Sequence, residues 1–189
     1  MKKLHLHFTI VCVFILVAAF SRMIPHMSNF SPLGAIALFG AAHFKKSWQA
    51  FLIPIAATWL SDLFINNVIY AQFYPEFSWV YSGFYWQYTA YILIAAFGLL
   101  LYKRGVSVGK IFGGAIGSGV IFFLISNFGC WIGSTIYPQN FSGLMSCMAA
   151  GIPFYKGTLL GDLVYCSALF GGYAILQKKL LTLRTADLD

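Results

Sequence analysis

Long apolar stretches alternate along this chain with short polar segments. Six apolar stretches predict six helices, at residues 4–24, 33–44, 48–70, 84–102, 111–136 and 152–176. A helix that crosses the roughly 30 Å hydrocarbon core of a bilayer needs about 20 residues, and five stretches approach or exceed that length. The second stretch is shorter, so it is either a short crossing in a thinned bilayer or a re-entrant segment shielded by protein. We favour the short crossing.

Basic residues recur in every second segment between these stretches. They cluster at both chain ends and at 45–46 and 103–110, whereas the alternate segments 25–32, 71–83 and 137–151 contain none. Cytoplasmic loops of membrane proteins carry an excess of Lys and Arg. The alternation therefore predicts six transmembrane helices with both termini in the cytoplasm.

Composition supports a membrane location. The chain is 60% hydrophobic, 19% aromatic and only 9% charged, against about a quarter charged in soluble domains. The net charge of +7 reflects the presence of only five acidic residues and not a dense basic surface, which argues against nucleic acid as a partner. We predict an all-α fold that forms one integral membrane domain over residues 1–189, surrounded by membrane lipids.

The first stretch and the cysteines each leave an alternative open. Residues 1–22 resemble a signal peptide, but their apolar run exceeds the usual 7–15 residues, so we expect a retained helix. The four cysteines form no CxxC motif, and we predict no metal site and no cofactor. Cys130 and Cys147 fall near one predicted membrane face, where they are either packing residues or, in an oxidising compartment, a disulfide.

Four charged residues lie within or beside the predicted helices: Arg22, Asp62, Lys156 and Asp162. Each costs several kcal/mol in a bilayer unless it is paired or hydrated. We place all four in the outer half of the membrane. They predict either a ligand site that faces outward or two structural ion pairs, Arg22 with Asp62 and Lys156 with Asp162.

Short polar motifs recur in the two halves of the chain. Ser-Asn-Phe around Asn29 returns around Asn127, and the Asp62 motif W-L-S-D-L resembles L-L-G-D-L around Asp162. The repetition of these motifs predicts two related three-helix halves of opposite topology. The alternative is that the motifs recur by chance. The amides of Asn29 and Asn127 donate and accept hydrogen bonds, as recognition of a neutral ligand requires.

Aromatic residues crowd the predicted outer loop 71–87. They form either an interfacial belt or a lid over an external ligand. In the lid interpretation Trp79, together with Trp131 and Tyr137, covers the flat or apolar part of the ligand. The second predicted outer loop, 137–151, is long enough to fold over a cavity.

Small residues spaced by four predict close helix packing, inside the bundle or against a partner membrane protein. They are Ala37, Ala41, Gly113, Gly117, Gly157 and Gly161. Catalytic motifs are missing by contrast: the sequence has no P-loop, HExxH or G-x-S-x-G. Ser61 and Leu159 also interrupt the Tyr-Asp and Gly-x-Gly-Asp motifs of aspartyl intramembrane proteases, so we expect no enzyme.

Four stretches carry a resemblance to known membrane proteins. They are N-F-S-P-L-G-A-I-A-L-F-G-A-A from Asn29, P-I-A-A-T-W-L-S-D-L from Pro54, S-N-F-G-C-W from Ser126 and A-G-I-P-F-Y-K-G-T-L-L-G-D-L from Ala150. They resemble an uncharacterised bacterial family of transport proteins placed near the substrate-binding S components of energy-coupling factor (ECF) transporters. The resemblance implies an S-component-like bundle, and as partners a transmembrane coupling subunit with two ATPases. S components commonly carry Ala-x-x-x-Ala in the first helix, whereas here this spacing occurs at Ala37 and Ala41.

We therefore predict a substrate-binding subunit, in the bacterial inner membrane, for uptake of a small water-soluble nutrient such as a vitamin or cofactor precursor. The predicted ligand-binding residues are Arg22, Asn29, Asp62, Trp79, Asn127, Trp131, Tyr137 and Asp162. The alternative is a non-transporting scaffold or envelope-assembly subunit. An intramembrane enzyme is the least supported class.

Overall fold

Six α-helices make up most of the chain. The structure, a computed structural model, describes residues 2–73 and 76–186, with the side chains of residues 6–73 and 76–180. The helices are α1 Lys2–Phe20, α2 Leu33–His43, α3 Ser47–Phe64, α4 Phe84–Tyr102, α5 Val108–Ile132 and α6 Phe141–Ala186. Over the described ranges there is no β-strand. All except α2 are long and apolar enough to cross a membrane, so the chain is a multi-pass helical membrane protein.

Helix α2 forms the centre of the bundle. Its 11 residues extend about 16 Å at 1.5 Å per residue, roughly half of a hydrocarbon core. Residues Leu33 to Ala41 are all buried, and α2 packs against each of the other five helices. Protein and not lipid therefore surrounds the second apolar stretch.

The two ends of α2 lie at different depths. At its N-terminus, Gly34 packs against Asp162, near the middle of α6. At its C-terminus the His43 carbonyl lies 2.9 Å from Nε2 of His7, which belongs to the start of α1. Helix α2 thus runs from the middle of the bundle to one end. That end also carries the α2–α3 and α4–α5 loops with their basic residues, and we call it the basic end.

Helix α6 begins earlier than predicted. Residues 141–151, predicted as loop, are the first turns of a helix that continues through Pro153 to Ala186. Asn140 caps this helix, since its Oδ1 accepts a hydrogen bond from the Gly143 amide at 2.9 Å, and Asn is among the best N-cap residues. The 46 residues of α6 extend about 69 Å, so the helix projects beyond a bilayer.

Helix α3 ends in an irregular turn. Its α-helical part stops at Phe64 and a π-helical segment, Ile65–Ile69, follows. Such segments are rare and occur frequently at functional sites. In this turn Asn67 bonds to both the Ser78 carbonyl and the Ser78 amide, so the segment that follows α3 is anchored to the helix end.

Candidate functional site

A buried ion pair ties the end of α1 to α3. Arg22 lies in a single 3-10 turn, Ser21–Met23, directly after α1. Its Nη1 donates to Oδ1 of Asp62 at 2.6 Å and to Oγ of Ser61 at 2.8 Å. The Tyr88 hydroxyl of α4 donates to the other carboxylate oxygen of Asp62 at 2.7 Å. The predicted pairing of Arg22 with Asp62 is thus present, and it connects three helices.

Arg22 uses only one side of its guanidinium in this network. Within the described part of the chain, its Nε and Nη2 donate to no protein group. The side chain is 18% exposed and lines a cavity at the end of the bundle opposite the basic end. Donors remain on this cation for a further partner.

Asp162 is buried without a cation. It is 2% exposed, and in the ranges that the structure describes no basic nitrogen lies within 4.0 Å of its carboxylate. The predicted pair with Lys156 is wrong. Six positions along a helix turn the side chain by about 240°, so Lys156 is exposed while Asp162 faces the bundle interior.

The Asp162 carboxylate instead lies where three helices meet. It faces the Ala35 amide at the N-terminus of α2 and the Ser118 hydroxyl of α5, although Ser118 Oγ makes no hydrogen bond of good geometry. The positive end of the α2 dipole favours an anion here. A Cβ on Gly34 would collide with both the carboxylate and Ser118 Oγ, so glycine is what allows this close approach.

The depth of Asp162 also differs from the prediction. We expected it in the outer half of the membrane. Because α6 starts at Phe141, Asp162 lies near the middle of the apolar span Phe141–Leu180. Ser118 is similarly near the middle of α5. These two residues therefore mark the floor of the site at mid-bundle depth.

A polar cavity of about 240 Å³ joins Arg22 to Asp162. Its rim includes the exposed residues His26, Asn29 and Tyr70. The full lining is Arg22, His26, Asn29, Ser31, Leu33, Gly34, Ile65, Tyr70, Gln87, Tyr91, Phe122, Thr158 and Asp162. The lining comes from the α1–α2 and α3–α4 segments and from α2, α4, α5 and α6. The α2–α3 and α4–α5 loops of the basic end contribute none of it, so the cavity opens at the other end.

A second, smaller cavity adjoins the first. It measures about 120 Å³ and shares Asn29, Phe122 and Thr158 with the larger cavity. Asn127 of α5 lines it and donates from Nδ2 to the Phe123 carbonyl at 2.8 Å. The structure thus brings together the two asparagines that the repeated Ser-Asn-Phe motif identified.

Two glycines of α6 hold the loop that carries Asn29. A Cβ on Gly157 would collide with the Ser28 carbonyl, and a Cβ on Gly161 would lie 2.7 Å from the Ser31 nitrogen. The backbone of the loop therefore lies directly on α6. Asn29 has a left-handed backbone with φ of 60°, a conformation in which Asn is enriched among non-glycine residues.

Four of the predicted ligand residues lie outside both cavities. Trp79 is 64% exposed and stacks on Trp59 of α3 with ring centroids 6.4 Å apart. Trp131 donates from Nε1 to the Pro138 carbonyl at 2.9 Å, and Tyr137 lies in the same α5–α6 turn. Asp62 does not line a cavity either, but it positions Arg22, which does.

Most of the predicted packing residues contact other parts of the same chain. Ala37 and Ala41 are buried in α2, and a Cβ on Gly117 would meet the Phe97 ring at 2.7 Å. Gly157 and Gly161 contact the loop described above. Gly113 alone of the six faces open space, so these positions mainly serve the internal packing of the bundle.

Several residues of the site escaped the sequence analysis. Thr158 precedes Asp162 by four residues, a spacing that places both on one helix face and could have identified it. Ser118 lies in a glycine-rich stretch and carries no comparable signal. Gln87 ends the aromatic segment 71–87 and Tyr88 follows it directly, so neither stood out among the aromatic residues.

The cysteines and other metal-ligating residues form no metal site in the described ranges, where no group of three or more His, Cys, Asp or Glu residues comes together. All four cysteines are free thiols. The Cys147 thiol nevertheless lies within hydrogen-bonding reach of Cys130, which connects α6 to the end of α5. The two residues have the proximity that a disulfide would need.

Fold and cavity together define a class: a multi-pass helical membrane protein with a polar cavity that opens at one end of its bundle. The chain belongs to DUF6580, a family of unknown function, whose match covers residues 2–184. No match was found among curated proteins or among solved structures. The cavity is therefore the basis for assigning a function.

Proposed function

We propose that this protein is a substrate-binding membrane subunit that takes up a small water-soluble nutrient, such as a vitamin or cofactor precursor, without catalysing a reaction. The observation that carries the proposal is the polar cavity between Arg22 and Asp162. Charged residues in membrane helices are costly and typically mark a substrate or ion pathway. Here both charges line one cavity whose rim is exposed.

The central helix supports a binding function. Helix α2 starts at the cavity floor, so its first amide groups and the positive end of its dipole face a polar space. Many transporters use half-length helices of this kind, whose termini point at substrate near the bilayer midplane. The π-helical turn after α3 adds a second irregular element, since Ile65 of this turn also lines the cavity.

The proposed orientation places the cavity outside the cell. The basic end carries Lys45 and Lys46 in the α2–α3 loop, Lys103 and Arg104 in the α4–α5 loop, and Lys110 in the first turn of α5. Under the positive-inside rule this end and both termini are cytoplasmic. The proposed membrane is the bacterial inner membrane, and its support is the sequence resemblance to bacterial transport proteins. Ligand would then be captured from the extracytoplasmic side.

The cavity volume limits the ligand. Typical sites for drug-sized ligands measure about 300–1,000 Å³, and the cavity between Arg22 and Asp162 measures about 240 Å³. The nutrient is therefore a small molecule or the small head of a larger one. Polar side chains such as Asn29, Asn127 and Thr158 would bond to it, while Phe122 and Tyr91 would contact its apolar part.

The proposed energy source is an ECF module: a transmembrane coupling subunit with two ATPases. The support is the sequence resemblance together with the lack of an ATP-binding motif in this chain. Ala37 and Ala41 are buried, so a coupling subunit would have to contact a different surface. The scaffold alternative has less support, because the small residues that would form its docking faces are mostly in contact with the same chain.

Native mass spectrometry of the purified protein tests the proposal. We expect wild-type protein to retain a small molecule, Asn127→Ala to lose most of it, and Gln72→Ala to retain it. Gln72 is a matched control because it carries the same amide but is exposed and lines neither cavity. Absence of any retained solute, together with unchanged nutrient accumulation in cells that lack the protein, would contradict a role in uptake.

A further inference from the structure

Two opposite charges face one small cavity without contacting each other. Arg22 and Asp162 both line the 240 Å³ cavity, yet the described residues form a single ion pair, Arg22 with Asp62. The guanidinium and the Asp162 carboxylate are therefore more than 4.0 Å apart. Asp62 already balances the charge of Arg22, so among the described residues it is Asp162 that is left without a cation.

The two charges lie on different sides of the cavity, which we call the Arg22 wall and the Asp162 wall. Arg22 is held by α3 and α4, through Asp62, Ser61 and Tyr88, and it presents unused Nε and Nη2 donors. A planar guanidinium with free donors is well suited to bind a carboxylate. The Arg22 wall therefore favours an anionic or hydrogen-bond-accepting group.

The Asp162 wall has the opposite preference. The carboxylate is 2% exposed, and the α2 N-terminus supplies only part of the compensation that a full charge needs. The Ser118 hydroxyl is buried beside this carboxylate but carries no charge that would balance it. This wall therefore favours a cationic group that donates hydrogen bonds, which an ammonium does with three N–H groups.

Between the two walls the cavity has an apolar surface. Tyr91 of α4 and Phe122 of α5 both line it, and their rings are stacked with centroids 5.9 Å apart and an interplanar angle of 12°. A volume of about 240 Å³ corresponds to about eight waters at roughly 30 Å³ each. The complementary solute is thus small, charged at both ends and apolar between them.

We propose that the cavity binds a small zwitterion of the amino-acid type, with its carboxylate on Arg22 and its ammonium on Asp162. This inference rests on the proposed uptake function and specifies the substrate class. Binding would give the remaining N–H donors of Arg22 a hydrogen-bond acceptor and would give Asp162 a cation. Single-charge analogues would leave one wall unsatisfied.

The test measures binding of defined probes to the full-length protein purified in detergent. The panel contains α-, β- and γ-amino acids and, for each, the monocarboxylate and monoamine of the same chain length. We expect at least one amino acid to bind, by calorimetry and by thermal stabilisation, at least tenfold more tightly than both of its single-charge analogues. Equal binding of a monocarboxylate would overturn the proposal, as would an amino acid panel that does not bind at all.

Two conservative variants assign the ends of the zwitterion. Asp162→Asn should weaken the best amino acid by about tenfold to hundredfold, as expected for loss of a charged hydrogen bond, and leave its monocarboxylate unchanged. Arg22→Lys keeps a cation for Asp62 but loses the planar second edge, so it should weaken the amino acid and the monocarboxylate together. Unchanged amino acid affinity in both variants would overturn the assignment.

Matched controls and an independent readout separate this proposal from the uptake function. Glu76→Gln and Arg104→Lys make the same kinds of substitution in exposed side chains outside the cavity and should bind like wild type. A neutral or singly charged solute retained in native mass spectrometry, and lost in Asn127→Ala, would support uptake while refuting the zwitterion. Absence of any retained solute from the wild-type protein, together with unchanged nutrient accumulation in cells that lack the protein, would contradict the uptake function itself.

Discussion

Replacing Asp62 with Asn tests whether the buried ion pair stabilises the bundle. The change keeps the shape of the side chain but removes its charge. Arg22 would lose the counter-charge that lies 2.6 Å from its Nη1, while Tyr88 could still donate to the amide oxygen. We expect Asp62→Asn to insert and fold with a clearly reduced free energy of unfolding.

The magnitude follows from the burial of the pair. Removing one partner of a buried ion pair costs about 3–5 kcal/mol, because the other charge stays buried and unpaired. The Asp62 side chain is 8% exposed, but that of Arg22 is 18% exposed and reaches the cavity. Partial hydration of the guanidinium places the expected loss near the lower limit, at about 3 kcal/mol.

The assay is unfolding by SDS titration in mixed micelles, followed by tryptophan fluorescence and circular dichroism. The double variant Arg22→Gln/Asp62→Asn should be more stable than Asp62→Asn alone, since it removes the unpaired charge. Glu76→Gln, an exposed carboxylate change, should stay within about 0.5 kcal/mol of wild type. A loss below about 0.5 kcal/mol for Asp62→Asn, or a double variant that is less stable than it, would refute the reasoning.

Two further predictions concern the packing of α5 and α6. Gly157→Ala in α6 should destabilise the protein in the same titration by about 1–3 kcal/mol, because its Cβ meets loop backbone. Gly113→Ala in α5 should stabilise it by up to about 1 kcal/mol, because its Cβ meets open space and alanine favours a helix. Equal effects of the two substitutions would contradict this packing. Mild oxidation should join Cys130 and Cys147, with loss of two free thiols by mass spectrometry in wild type but not in Cys147→Ser. Retention of all four thiols after oxidation would show that the two sulfurs do not meet.

Helix positions were largely predictable because the bilayer requires long apolar segments. The predicted 84–102 has the same bounds as α4, and most other bounds agree within a few residues. The start of α6 was missed because hydropathy measures transfer to lipid and not helix formation. Residues 141–151 are only moderately apolar, yet they include good helix formers such as Ala, Leu and Met, and Asn140 supplies the cap that marks their beginning.

The sequence identified site residues whose burial in a membrane costs free energy, but it could not show in which direction each side chain points. Arg22, Asp62 and Asp162 stood out because charge in a membrane helix is expensive. The predicted Lys156–Asp162 pair was wrong, because two residues six positions apart on one helix point in different directions. The position of Trp79 outside the cavities was missed for a related reason. Its side chain is oriented by contact with Trp59 of another element, which composition does not reveal.

The short central helix and the cavity are two consequences of one arrangement. Because α2 covers only half the bundle, the loop 24–32 must descend to mid-depth with non-helical backbone. Such backbone is tolerated inside a membrane protein only when protein buries it or when it lines a hydrated cavity. Here Gly157 and Gly161 cover one side of the loop, and the other side lines the cavity through Asn29 and Ser31. The cavity therefore gives the polar backbone of this loop access to water, so a change that fills the cavity should also disturb the start of α2.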